Sequence, residues 1–151
     1  MKMIKKIIFY IAILSLSSCG YEAIYLKTEG FDKVIQSFQT EGDKKINRKI
    51  ISALNLKKQT KVSGYKLIIN SSRSLEIASK DSTGRASAFN LRVDVVVSLM
   101  DGDKIFKTKN FTSDFTYNNT ENKYDLSQYQ NDIELNLINH IIEEIFIFLT
   151  F

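Results

Sequence analysis

The chain has 151 residues, 44% of them hydrophobic and 25% charged, with no proline or tryptophan, one cysteine and one histidine. A single cysteine excludes an internal disulfide, so the fold must hold by packing alone. Three of the 21 basic residues lie in the first six positions, which leaves 18 against 17 acidic residues in the remainder; that near-neutral balance excludes an electrostatic nucleic-acid binder.

Lys2, Lys5 and Lys6 precede an apolar run, Ile7 to Leu16, of ten residues. A bilayer-spanning helix needs about 20, whereas ten suits the hydrophobic region of a secretory signal. Leu16-Ser17-Ser18-Cys19 follows and resembles the lipobox of bacterial lipoproteins. That resemblance implies cleavage before Cys19 and a diacylglycerol on its sulfur, which uses up the thiol. Acyl chains at about 0.8 kcal/mol per buried methylene make a firm anchor, so the mature protein is expected to be attached to a membrane without spanning it. The predicted organisation is a signal peptide over 1–18, a lipidated tether over 19–32 and a single domain over 33–151.

Within that domain, Lys33 to Gln39 is short, β-branched and partly alternating, and predicts a first strand. Thr40-Glu41-Gly42-Asp43 has the form of a helix N-cap with an acid three positions on, and Ile46, Ile50, Ile51 and Leu54 repeat at helical spacing. A helix over about 42–56 is expected, with Asn47, Arg48, Lys49 and Ser52 on its outer face. After Gly64 the period becomes two. Tyr65, Leu67, Ile69, Leu75 and Ile77 alternate with polar residues, Ile68 and Arg73 being the exceptions, and predict a half-buried strand. The segment 80–87 is a turn. Phe89, Leu91, Val93, Val95, Val97 and Leu99 give the clearest alternation in the chain, Asp101-Gly102 is a hairpin cue, and Ile105 to Tyr117 supplies a further strand with Ile105, Phe111, Phe115 and Tyr117 on the matching parity. Leu126, Tyr129, Ile133, Leu137, Ile141, Ile145 and Phe148 then step by three or four, predicting an amphipathic helix over about 125–149. Its apolar end carries Glu143 and Glu144 and is too short for a membrane span, so it belongs to the core. The order β-α-β-β-β-α implies an α+β two-layer sandwich, a four-stranded, mostly antiparallel sheet covered by two helices.

Catalytic chemistry finds little support. His140 sits one position before the apolar stripe and reads as a structural or surface residue, with no G-x-S-x-G motif to accompany it. Glu143 and Glu144 are adjacent and do not face one ion together, and Asp101-Gly102-Asp103 lacks the remaining ligands of a calcium loop. No cofactor or metal is expected. The turn Lys80-Asp81-Ser82-Thr83-Gly84-Arg85 differs, placing two cations, two hydroxyls and a glycine at a hairpin tip, where Arg85 has the geometry to grip phosphate or carboxylate. Arg73 and Arg92 lie on the strands flanking it.

Cys19-Gly20-Tyr21 with Tyr25, the helix pattern Asn47-x-x-Ile50-x-x-x-Leu54, the strand Tyr65-x-Leu67-x-Ile69, the Thr83-Gly84-Arg85 turn and the long C-terminal helix together resemble the lipopolysaccharide-assembly lipoprotein family LptE. The family's usual proline after the cysteine is replaced here by Ala23. The resemblance implies an outer-membrane lipoprotein on the periplasmic side, sorted there with Gly20 rather than aspartate after the cysteine. It also implies a non-enzymatic partner of the β-barrel LptD that plugs the barrel lumen and contacts lipopolysaccharide, with Lys80, Arg85, Arg73 and Arg92 as candidate ligand-binding residues. A plug needs a polar surface, which Asn70, Ser72, Ser74, Ser98, Thr108, Asn110 and Thr112 supply away from the helices. The alternative is a free-standing periplasmic lipoprotein enclosing a small apolar or lipid ligand.

Overall fold

The computed structural model describes residues 35–56 and 64–150. The signal, Cys19 and the tether lie outside the described residues.

Six elements follow in the order the sequence predicts: β1 (Ile35–Gly42), α1 (Lys44–Ala53), β2 (Tyr65–Lys80), β3 (Ala86–Asp101), β4 (Lys104–Asn118) and α2 (Lys123–Thr150). The four strands form one sheet in sequence order. β1 runs parallel to β2, and β2, β3 and β4 are antiparallel neighbours. Both helices pack against the same face, and the fold is the predicted α+β sandwich.

The core follows the period-two pattern of β3. Leu91, Val93, Val95, Val97 and Leu99 have no exposed surface and meet Leu67 and Ile69 of β2, Phe111 of β4, and Ile138, Ile141 and Ile145 of α2. The C-terminal apolar run of α2 is therefore core, as expected. Among the described residues, no helix is long and apolar enough to cross a membrane.

Local chemistry moves several boundaries. Asp43, not Thr40, caps α1: its carboxylate accepts from the amides of Lys45 at 2.8 Å and Ile46 at 3.0 Å. Thr40 and Glu41 stay in β1, opposite Ile69 and Asn70. α2 begins before its first apolar residue because Asn122 caps it, its Oδ1 accepting from the Tyr124 amide at 3.1 Å, while its Nδ2 donates to the Asp125 carboxylate at 2.7 Å. At its other end, Lys107 of β4 donates to the Phe148 carbonyl and lies 4.4 Å from the Phe148 ring centroid, a cation at the negative end of the helix.

Asn47 is not on the outer face of α1. It is 5% exposed, donates to the Glu41 carbonyl at 2.8 Å and accepts from the Ser71 hydroxyl at 2.9 Å. A polar residue can be buried here because each of its hydrogen-bonding groups meets a partner across the helix–sheet seam.

β2 also outruns the short helix α1 beside it. β2 and β3 have 16 residues each, about 50 Å of strand, whereas α1 is only about 15 Å long. β1 ends at Gly42, opposite Ser71. Beyond that point Leu75 and Ile77, predicted to be buried by parity, are 40% and 53% exposed. Ile105, Phe115 and Tyr129 are likewise exposed, lying near the ends or rim of the layer.

Candidate functional site: a polar sheet face and a hairpin tip

With both helices on one side, the other face of the sheet is open. β3 and β4 line it with paired polar side chains: the Ser98 and Thr108 hydroxyls are 2.8 Å apart, Thr112 donates to Asp94 at 2.6 Å, and Asn90 donates to Asp114 at 2.9 Å and to Thr116 at 3.0 Å. The register places Ser98 beside Ile68, Asp94 beside Ser72 and Arg92 beside Ser74. Val96, 41% exposed, is an apolar member of this face. The face buries little of its polar hydrogen-bonding capacity and suits a hydrated or polar surrounding.

Arg92 lies in this face and binds Asp94 through Nε and Nη2 at 3.0–3.2 Å. Its hydrogen bonds to Asp94, with the further negative charges of Asp114 and Glu76, raise its pKa. The Arg92 and Thr112 hydrogen bonds in turn hold the Asp94 carboxyl below the ordinary carboxylate value.

At the far end of β2 and β3, five residues form the tip. Asp81 organises it, accepting from the Thr83 hydroxyl at 2.6 Å, the Thr83 amide at 2.8 Å and the Arg85 amide at 3.0 Å. Arg85 Nε lies 3.0 Å from the Thr83 hydroxyl and 3.3 Å from Asp81 Oδ2, and its side chain remains 81% exposed. The side chain is thus oriented through Nε while its terminal nitrogens stay open to solvent. Lys80 has no ion-pair partner among the described residues. Hydrogen bonds from Thr83 and Arg85 lower the Asp81 pKa.

The four cations singled out from the sequence do not form one cluster. Lys80, the last residue of β2, and Arg85 flank the tip. Arg73 points to the helix-covered side, where its Nε donates to Glu134 of α2 at 2.9 Å. Arg92 is on the opposite face with Asp94. Sequence reasoning missed Glu134, which is 5% exposed and also binds Lys45 Nζ at 2.7 Å. The signal was present: Glu134 stands four residues before Ile138 on the buried stripe of α2, and Arg73 follows Leu67 and Ile69 on the buried parity of β2. Opposite charges in two buried registers point to a pair.

His140 is exposed on α2. Among the described residues, no group of three or more His, Cys, Asp or Glu side chains is gathered to hold a metal ion.

The lowered carboxylates fix the direction of one pH effect. A carboxyl whose folded pKa lies below its ordinary value of 3.8 adds stability that is present above that value and lost as pH falls through the folded one. Asp94→Asn should therefore cost under about 1 kcal/mol near neutral pH, because the pair is largely solvated, and less at a strongly acidic pH, where the carboxyl takes up its proton. Urea midpoints of the two chains that differ by the same amount at both pH values would contradict this assignment.

The architecture is that of an α+β domain whose four-stranded sheet carries both helices on one face. No family model and no curated protein matches the chain in sequence. Solved structures do match in fold. A minor lipoprotein from Acinetobacter baumannii superposes with a TM-score of 0.59 at 15% identity, covering 78% of this chain and 92% of that one. Lipoprotein B from Nitrosomonas europaea gives 0.54 at 12% identity over 75% of this chain and 81% of that one. Rare lipoprotein B from Shewanella oneidensis gives 0.51 at 15% identity over 72% and 86%. At these identities the likeness establishes a shared fold.

Proposed function

We propose that this chain is an outer-membrane lipoprotein, acylated at Cys19, that seats its domain in the lumen of an LptD-type β-barrel and assists lipopolysaccharide assembly without catalysing a reaction. The observation that carries the reading is a coincidence of two independent features. The chain has a lipobox-like Leu16-Ser17-Ser18-Cys19, and its domain has the fold of three proteins each named a lipoprotein. The plug role draws support from the open sheet face, whose serine, threonine, asparagine and paired charged groups match the polar interior of a barrel. The exposed tip presents Lys80 and Arg85, cations suited to lipopolysaccharide phosphates. Arg73 and Arg92 would meet such a ligand only by leaving Glu134 and Asp94.

A second reading, an apolar or lipid ligand, is favoured by the uncovered row at the same end. Leu75 and Ile77 are exposed there, opposite Leu91 and Phe89. The Tyr117 hydroxyl is buried nearby without a hydrogen bond of good geometry, and burial pushes its pKa up.

Photocrosslinkers placed at Lys80, at Asn110 and, as a control, at Ser52 distinguish the two in intact envelopes. The first two should join the chain to a large barrel and Ser52 should not. Recovery of an uncrosslinked monomer carrying lipid would reject the plug in favour of the second reading. With purified protein, Lys80→Glu with Arg85→Glu should weaken lipopolysaccharide binding by at least about tenfold, since each charge-assisted hydrogen bond contributes about 1.5–3 kcal/mol. Unchanged binding would remove the tip from the proposal.

A further inference from the structure

α1 is a basic helix. Lys44, Lys45, Arg48 and Lys49 are four of its ten residues, and no acidic residue occurs anywhere from Lys44 to Leu75. Lys45 turns inward to Glu134 and Asn131. The other three are exposed and have no acidic partner among the described residues. The nearest acid in sequence, Asp43, is engaged by the amides of Lys45 and Ile46. Lys44 with Arg48, and Lys45 with Lys49, are spaced i, i+4, an arrangement of like charges that weakens an isolated helix. The helix forms because Ile46 and Ile50 are fully buried beneath it. Among the described residues, its outer surface carries positive charge with no acidic partner.

The rest of the molecule gives that charge a direction. On the opposite, open face of the sheet, Glu76, Asp94 and Asp114 surround one arginine. The outer face of α1 is therefore positive and the middle of the open face acidic, while α2, on the same side of the sheet as α1, carries Asp125, Asp132, Glu134, Glu143 and Glu144 along its own length. Topology fixes the end of the sheet at which β1 starts. β1 and β2 are parallel with Ile35 opposite Tyr65, so α1 runs back toward the end of the sheet at which β1 starts. The chain from Cys19 to the first described residue, Ile35, has 16 residues before that strand, a reach of at most about 55 Å.

We infer that the outer face of α1, with Lys44, Arg48 and Lys49, docks on an anionic phospholipid surface beside the acyl anchor and so sets the orientation of the domain on the membrane. Basic side chains near such a surface are attracted individually, and the attraction falls off within a Debye length. An acyl anchor together with a basic patch is a recognised pair of signals for stable membrane association. The inference rests on acylation at Cys19 and is independent of the barrel partner.

The test uses acylated mature protein in vesicles of phosphatidylcholine, with or without about 30% phosphatidylglycerol, and nitroxide-headgroup lipid as quencher. A fluorophore is placed by Ser52→Cys on the outer face of α1, or by Asn110→Cys on the open face. Quenching at position 52 should rise at least about twofold with phosphatidylglycerol, fall back in about 0.5 M NaCl, and vanish in the Lys44→Gln, Arg48→Gln, Lys49→Gln variant, while position 110 stays unchanged. Neutral glutamine at exposed helix positions preserves helix propensity, so loss of quenching reports charge and not unfolding. Equal quenching at position 52 in both vesicles overturns the inference. So does a position 52 signal that responds only to an added purified barrel, which would assign the face to a protein. A chain lacking the acyl group fails at incorporation, so loss of the anchor is distinguishable from loss of the docking face.

Discussion

Gly42→Ala should destabilise the domain by about 3 kcal/mol or more, while Gly84→Ala costs about 1–2 kcal/mol, although both glycines have the same backbone conformation. Their φ angles are +84° and +82°, in the region where a Cβ is strained against its own backbone. What separates them is the surroundings. A Cβ at Gly84 would point into open space at the hairpin tip; one at Gly42 would stand 1.8 Å from the Ser71 carbonyl oxygen. That oxygen has little freedom to withdraw, because it accepts the Asp43 amide at 3.0 Å. Gly42 closes β1 and Asp43 caps α1, so this contact joins the strand's end, the helix's start and the middle of β2. Ser71 adds its hydroxyl to Asn47, and Asn47 returns to the Glu41 carbonyl. Alanine would have to push β2 away from this junction and break several hydrogen bonds together. For a chain of this length each kcal/mol shifts Tm by about 2–4 °C. Thermal unfolding should place Gly84→Ala a few degrees below the wild type and Gly42→Ala about 6 °C or more below it. Equal shifts for the two variants would show that the strain of the left-handed conformation is the whole effect and that the Ser71 contact yields at no cost.

The sequence reveals what depends on a residue's own neighbours and conceals what depends on a second element. Leu91 to Leu99 carry an apolar residue at every odd position, with Val96 the one apolar residue between them, and every odd member is fully buried, so face and strand are both readable. The same alternation assigned Leu75 and Ile77 to the covered side correctly but gave no information on whether anything lay above them. β1 stops at Gly42 and α1 is short, facts of the tertiary arrangement, and the two side chains remain exposed. Asn47 failed for a related reason: a polar residue on a helix is placed outside unless its partner is known, and here the partner is Ser71, 24 residues away. The hairpin tip was legible as a turn from aspartate, serine and glycine, whereas its organisation around one Asp81 oxygen was not. Parity already separated Arg73 from Arg92. Arg73 shares the register of Leu67 and Ile69, and Arg92 falls between Leu91 and Val93, so a common site for the two would have required a sheet folded back on itself.

Replacing Lys45 and Arg73 together by methionine should cost about 3 kcal/mol, and replacing Glu134 by leucine in the same chain should restore most of that loss. Glu134 is 5% exposed and lies between α1, β2 and α2, held by Lys45 Nζ at 2.7 Å and Arg73 Nε at 2.9 Å. The cations keep substantial contact with water, their side chains being 45% and 32% exposed. The attraction on their side is therefore partly screened, and the low end of the range for a broken buried pair applies. For the carboxylate the situation is different. Without either cation it must remain charged in a nearly dry position, take up a proton or drag α2 outward, and each of these destabilises the packed state. Single removal of Glu134 by glutamine should be milder, because both cations can turn to solvent and the amide still accepts one hydrogen bond. The triple variant tests the cause. If the double variant suffers from an uncompensated charge, an apolar residue at position 134 removes it and can pack beside Ile138 on the same stripe of α2, and ion-pair groups replaced as a set by apolar ones are often near neutral in stability. Urea midpoints at constant m-value report the three free energies. A triple variant no more stable than the double would mean that the methionines disrupt packing at the α1–α2 seam, and that the ion pair contributes little to holding the helical layer on the sheet.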